Sequence, residues 1–209
     1  MKRIAKGILP LLAALIALLA SGRPGLAANG GLDQATNGLT ALTAGEYRKA
    51  IALLTQAIDS NGLPEGQTHV YFAARGYAKA AEGDFMGAVE DDTAALNRHP
   101  GYRLALFNRG NAYFAMRRYD LAISDYSRLL NTDPNDANAL NNRGAAWFCK
   151  GNLQSALANY SQAIALAPED PDPLLNRGKV YEALGDVDKA RGDFLHIKQL
   201  DPSAKTPLD

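Results

Sequence analysis

The chain is predicted to fold as an all-α solenoid of tandem antiparallel helix pairs, and three markers carry that prediction. Arg-Gly recurs at Arg75-Gly76, Arg109-Gly110, Arg143-Gly144 and Arg177-Gly178, always at one constant step along the chain. Ala88, Ala122, Ala156 and Ala190 keep the same interval, and so do Pro100, Pro134, Pro168 and Pro202. Three residue types with different physical roles at one period indicate stacked copies of a small unit and not one enlarged core. Function must then be sought where the copies differ, on a shared face.

The first element is set apart by composition. Lys2, Arg3 and Lys6 precede an almost wholly apolar run from Ile8 to Ala20, and then Ser21 to Gly25 lead into Leu26-Ala27-Ala28. This is the three-part layout of a secretory signal peptide, with cleavage expected after Ala27 or, alternatively, Ala28. The run is short for a membrane span, which needs roughly 20 residues. Residues 1–27 are therefore expected to be a cleaved signal, placing the mature chain in the periplasm or outside the cell; an uncleaved membrane tether is the alternative. Cleavage removes Lys2, Arg3, Lys6 and Arg23, leaving 18 basic against 22 acidic residues. Such a balance offers no basic surface for nucleic acid. No cysteine lies near the cleavage region to carry a lipid.

Residues 103–136 show the unit most clearly. Tyr102 to Met116 reads as one helix, with Leu106, Gly110 and Tyr113 on a recurring face. Arg117 to Asp120 break the rhythm weakly. Leu121 to Leu130 reads as a second helix, with Ala122, Tyr126 and Leu129 at spacings of four and three. Those spacings place apolar residues on one helical face. Asn131 to Asp136 form a turn whose proline ends one helix and whose Asp and Asn residues can cap the next. Glycine inside a helix costs about 1 kcal/mol against alanine. Its phase with the repeated alanines suggests that a missing side chain on one helix faces a small one on its mate. No strand pattern or Gly-x-Gly-x-x-Gly accompanies these glycines, so they are not read as a phosphate loop.

These markers together resemble the tetratricopeptide repeat family, whose unit is a pair of antiparallel helices of about 34 residues. The resemblance implies a right-handed superhelix with five units over 31–202: 31–68, 69–102, 103–136, 137–170 and 171–204. The first unit keeps Gly38, Ala50 and Ala57, but Gln34 and Ala41 replace larger residues, and Asn61 to Gln67 lengthen its link. The second has Phe72, Gly76, Ala88 and Pro100, but Lys79 and Asp92 stand where aromatics are expected. The third, fourth and fifth match closely; the fourth supplies Leu140, Gly144, Trp147, Ala156, Tyr160, Ala163 and Pro168, and the fifth Leu174, Gly178, Tyr181, Ala190, Phe194, Ile197 and Pro202. Only the tail 203–209 follows. With no further helix to cover the last unit, Phe194 and Ile197 are expected to be exposed there, and homo-oligomerisation through the terminal repeats is one consequence.

Several residues that look chemical are read as scaffold. Arg75, Arg109, Arg143 and Arg177 are followed at one fixed offset by Asp91, Asp125, Asn159 and Asp193. A guanidinium fork can hold a carboxylate with two hydrogen bonds, so helix-to-helix pairing is expected rather than an anion-binding ladder. Asn108, Asn142 and Asn176 recur with them as another structural feature. Cys149, the only cysteine, follows Trp147 and Phe148 and is expected to be a small buried hydrophobe, with an intermolecular or redox role as the alternative. His69, His99 and His196 show no metal-ligand spacing, so no metal and no cofactor is expected. Glu90, Asp91 and Asp92 are adjacent and should point to different sides of their helix, which argues against a catalytic cluster.

In the family that the chain resembles, the first helices of the units line a concave groove. The matching positions put Tyr77, Phe107, Asn111, Phe114, Asn138, Asn141, Phe148 and Lys179 forward as partner-binding residues. The lining grades from apolar and aromatic to polar and charged, a surface suited to a segment with an apolar end. Phe107, Phe114 and Phe148 also have a purely packing alternative, whereas no core demand explains Tyr77, Asn111 or Asn141. Some family members hold a partner's C-terminal carboxylate with lysines and asparagines. Here Phe107 and Ala145 interrupt that pattern, so that ligand class is not expected. The functional expectation is a non-catalytic interaction module or scaffold of the bacterial cell envelope, with an unknown protein or peptide partner. The alternatives are a structural subunit that associates through its ends and, less favoured, an enzyme or an accessory domain of one.

Overall fold

The computed structural model describes residues 30–60, 62–64 and 66–208. The signal-peptide segment 1–27 lies outside the described residues. Ten helices and no strand occur among those described: α1 (Gly30–Thr43), α2 (Tyr47–Asp59), α3 (Thr68–Ala81), α4 (Phe85–Arg98), α5 (Arg103–Ala115), α6 (Tyr119–Thr132), α7 (Ala137–Cys149), α8 (Leu153–Leu166), α9 (Pro171–Leu184) and α10 (Val187–Leu200). They fall into two compact units divided after Met116, the first with α1–α5 and the second with α6–α10.

In the first unit α1 packs on α2, α2 on α3, α3 on α4 and α4 on α5, while α1, α3 and α5 also touch in succession. Its core joins Ala35, Leu39, Leu42, Leu54, Tyr71 and Ala78. Burying each large apolar side chain stabilises by about 1.5–3 kcal/mol, so these residues fix the helix order. In the second unit α6 to α10 pack in the same neighbour-to-neighbour way, and α7 and α9 lie together. Ala156, Tyr160 and Val180 form one of its clusters and Leu174, Ala190, Phe194 and Ile197 another.

Short polar signals set the helix ends. Asp84, Asp136, Asn152, Asp170 and Asp186 each precede a helix and accept a backbone N–H from its first turn, which satisfies a donor left free by the helix geometry. His99, Asp133, Ala167 and Asp201 end helices with φ between −144° and −135°. Each stands before one of the repeated prolines, which exclude the helical conformation from the preceding residue. Within the pairs, Gly83, Gly151 and Gly185 turn the chain with φ of 77° to 90°, and Arg117 fills the equivalent place at 60°. An arginine in this left-handed region costs roughly 1–2 kcal/mol. It marks the turn that the sequence signals only weakly, and α6 accordingly begins at Tyr119, ahead of the expected Leu121.

Two expectations about packing are corrected. At Gly76, Gly144 and Gly178 the nearest atoms are not the repeated alanine side chains. A Cβ on Gly144 would meet Tyr160 at 2.9 Å, and one on Gly178 would meet Phe194 at 2.4 Å. At these two sites glycine therefore makes room for a ring on the paired helix; at Gly76 the nearest atoms are an Asp92 oxygen at 3.1 Å and the Ala88 carbonyl oxygen at 3.2 Å. Phe194 and Ile197 are buried, not exposed. They lie inward with Leu174 and Ala190, with Ile164, Leu175, Tyr181 and the tail residue Ala204 packed around them. The apolar residues that α10 does expose include Val187 and Leu195, 69% and 47% accessible.

Candidate functional site

The regularly repeated charges are internal struts. Arg75 donates through Nε and Nη2 to Asp91 at 2.8 and 2.7 Å, and Arg177 does the same to Asp193 at 2.9 and 2.7 Å. Arg143 donates through Nε to Asn159 at 2.8 Å. The remaining nitrogen reaches back to a hydroxyl: Arg75 to Thr55, Arg109 to Thr93, Arg143 to Ser127 and Arg177 to Ser161, at 2.9 to 3.1 Å. Each arginine thus ties its own helix to at least one other within its unit, and Arg75 and Arg177 commit all three of their nitrogens to the scaffold.

In the first unit the candidate residues lie on α3 and α5, which are held together by Asn108 Nδ2 donating to the Ala73 carbonyl at 3.3 Å. Tyr77 stands edge-on to Tyr47, with centroids 6.2 Å apart and planes at 72°. Burial, followed by the neighbouring Tyr47, pushes its phenol up to about 12. Tyr77 and Phe107 both pack on the Ala35–Leu39–Tyr71 core, so Tyr77 has the core role that sequence reasoning does not assign to it. All the same, Tyr77, Phe107, Asn111 and Phe114 stay half-buried. The half-buried rings of Tyr77 on α3 and of Phe107 and Phe114 on α5 can offer apolar contact to a partner chain.

In the second unit the candidates lie on α7 and α9. Asn141 accepts from Asn176 Nδ2 at 3.0 Å and donates to Asn142 Oδ1 at 3.4 Å. Asn142 is in turn hydrogen-bonded to the buried Tyr126. Asn141 is therefore one link of an amide chain that holds α7 against α9. Asn138 and Lys179 are exposed, and Phe148 is half-buried against Ala156, Tyr160 and Val180.

The cysteine expectation is corrected: Cys149 is exposed. It is the last residue of α7, beyond Ala146, the last buried position of that helix. Glu90, Asp91 and Asp92 do point to different surroundings. Glu90 is exposed, Asp91 pairs with Arg75 and Lys79, and Asp92 is fully buried. Lys79 Nζ lies 2.9 Å from Asp91, so the lysine that replaces an aromatic has joined the arginine strut. Sequence reasoning misses two features. The hydroxyls at Thr93, Ser127 and Ser161 recur in step with the arginines, a signal that could have found them. The stacking of His69 on His99, at 5.0 Å between centroids, has no such signal, because nothing in the separation of the two along the chain announces it. Among the described residues no group of three or more His, Cys, Asp or Glu side chains is placed to hold a metal, and no helix is long and apolar enough to cross a membrane.

A TPR repeat model matches residues 110–151 and 148–185, and a tetratricopeptide repeat model matches residues 36–80. No curated protein matches the chain. Among solved structures it is similar to MamA from Desulfovibrio magneticus RS-1, at 20% identity over 84% of this chain and 97% of that one, with a TM-score of 0.76. A MamA double mutant gives 20% identity, 83% and 95% coverage and a TM-score of 0.74. A tetratricopeptide repeat protein from Parabacteroides merdae gives 18% identity, 83% and 67% coverage and a TM-score of 0.73. The helix pairs, their period and these matches agree, and the chain belongs to the tetratricopeptide repeat family.

Proposed function

We propose that the chain is a non-catalytic interaction module that receives a segment of a partner protein against the first helices of its repeats, outside the cytoplasm and after loss of residues 1–27. One observation carries this reading. The residues that repeat most strictly are spent on internal struts, while first-helix positions that vary between copies keep exposed surface at Tyr77, Phe107, Asn138 and Lys179. In the first unit the half-buried rings of Tyr77 and Phe107, and in the second the exposed Asn138 and Lys179 with the half-buried Phe148, suit an extended or helical peptide better than a small substrate. The test is crosslinking and capture from the native envelope with the unchanged protein and with Tyr77→Ala, Asn138→Ala and Lys179→Glu variants. Loss of a captured partner in folded variants is the expected result. Unchanged capture by all three would sink the reading. Mass measurement of the mature protein checks the cleavage site, and retention of residues 1–27 would favour the tethered alternative.

A second reading, self-association through the last repeat, is favoured by the exposure of Val187 and Leu195 on α10. Sedimentation across micromolar concentrations separates the two, since a strict monomer rejects it.

A further inference from the structure

His69, His99 and Tyr102 meet at a corner of the first unit. His69 is the second residue of α3, His99 ends α4 and Tyr102 opens α5. The two imidazoles stack with planes at 24°. The Tyr102 ring stands steeply across both, its centroid 4.6 Å from that of His69 at 86° and 5.9 Å from that of His99 at 73°. His69 is half-buried and is hydrogen-bonded to the Gly66 backbone, whereas His99 is exposed. Imidazole lone pairs lie in the ring plane. Near-parallel stacked rings therefore aim them side by side and not at one ion, which leaves protonation as the chemistry of this cluster.

We propose that this three-ring stack is a proton-sensitive clasp: with the imidazoles neutral it pins the start of α3 to the α4–α5 corner, and a charge on His69 loosens it. Three features of its placement oppose that charge. His69 lies in the first turn of α3, where the helix dipole repels a cation. The stacked His99 imidazole, one stacking distance away, also opposes a positive charge on His69. The ring is also partly out of water, where a charge is less well solvated.

The neighbouring charges do not reverse this. From α4 come His99 itself, the buried Asp92 and Arg98, whose guanidinium is held over the Phe72 ring at 4.4 Å. From α5 comes Tyr102; burial, followed by Asp92, pushes its phenol up to about 12, so it stays neutral. Burial first and His99 second hold His69 below the ordinary histidine value of 6.5, and the Gly66 hydrogen bond only partly opposes them. A histidine with a depressed folded value binds fewer protons folded than unfolded. Its contribution to stability is therefore present above about 6.5 and lost as the pH falls through the folded value.

The experiment is a histidine titration by NMR on the full chain, with urea midpoints and amide exchange of Val70 to Ala74 at about pH 7.5 and about pH 5.5, a range that spans histidine titration. His69 is expected to titrate below the ordinary value of 6.5. Its midpoint should shift upward in His99→Asn, and exchange at the start of α3, corrected for its intrinsic pH dependence, should quicken on acidification. In His69→Phe, which keeps a ring but cannot take a proton, the acid-induced fall in the urea midpoint should shrink. Titration of His69 at or above the ordinary value, or an undiminished fall in His69→Phe, would overturn the clasp.

Discussion

The pairs α3–α4 and α9–α10 carry the same Arg-Gly and alanine markers but fill the space between their helices differently. In α9–α10 the ring of Phe194 lies against Gly178, and Arg177 alone meets Asp193. In α3–α4 the corresponding places hold Asp92 and Lys79. Asp92 lies against Gly76, and Asp91 meets both Arg75 and Lys79. One backbone plan therefore tolerates either a ring-filled or a charge-knit interior, provided that the guanidinium strut survives. The common element is electrostatic and hydrogen-bonded, and the apolar filling is negotiable.

The largest expected difference follows from that strut. Asp91 is 5% exposed, with Arg75 at 13% and Lys79 at 19%. Asp91→Ala strands two poorly solvated cations and should cost about 3 kcal/mol. Asp193→Ala strands only Arg177, itself more exposed, and should cost about 1–2 kcal/mol. Urea denaturation of both variants checks the order, and equal costs would mean that Lys79 is not part of the strut.

Glycine substitution probes the filling. A Cβ at residue 178 would lie 2.4 Å from the buried Phe194 ring, whereas at residue 76 the nearest atom is an Asp92 oxygen at 3.1 Å. Alanine gains about 1 kcal/mol of helix propensity at either site. Overpacking costs typically about 1–3 kcal/mol. Gly178→Ala should therefore lower the thermal midpoint, and Gly76→Ala should leave it nearly unchanged. A reversed order would show that the ring yields more readily than the carboxylate.

The scaffold is legible in the sequence because each strut needs fixed residue types at a fixed interval. The period alone pairs Arg75 with Asp91 and Arg177 with Asp193, and the prolines mark the helix ends. The glycine partners are not legible, because the period brings alanine and the aromatic position into phase together, and only three-dimensional packing says which one fills the gap. The exposure of Cys149 is hidden because its apolar neighbours say nothing about where α7 runs out of cover. The candidate faces are legible only as positions. That Tyr77 leans on Tyr47, and that Asn141 spends its amide on Asn142 and Asn176, depends on contacts outside the repeat pattern.

The smallest expected effect tests whether the strut prefers a charge. Arg143 faces Asn159, and burial holds its guanidinium below the ordinary value; in Arg177 the hydrogen bonds to Asp193 outweigh burial and raise it. Asn159→Asp would give Arg143 the carboxylate fork that Arg177 has, at the loss of the Asn159 hydrogen bond to the Ser155 carbonyl. The exchange should stabilise by about 1 kcal/mol at neutral pH, since charge-assisted pairs are roughly twice as strong as neutral ones. The new carboxyl would have a folded value depressed by Arg143. Its gain should be complete above the unfolded aspartate value of about 3.9 and vanish as the pH falls through the folded one. Urea midpoints at neutral and acid pH check both parts. A gain that survives acid would come from packing and not from the pair, and it would shift the common element of the repeats from charge to shape.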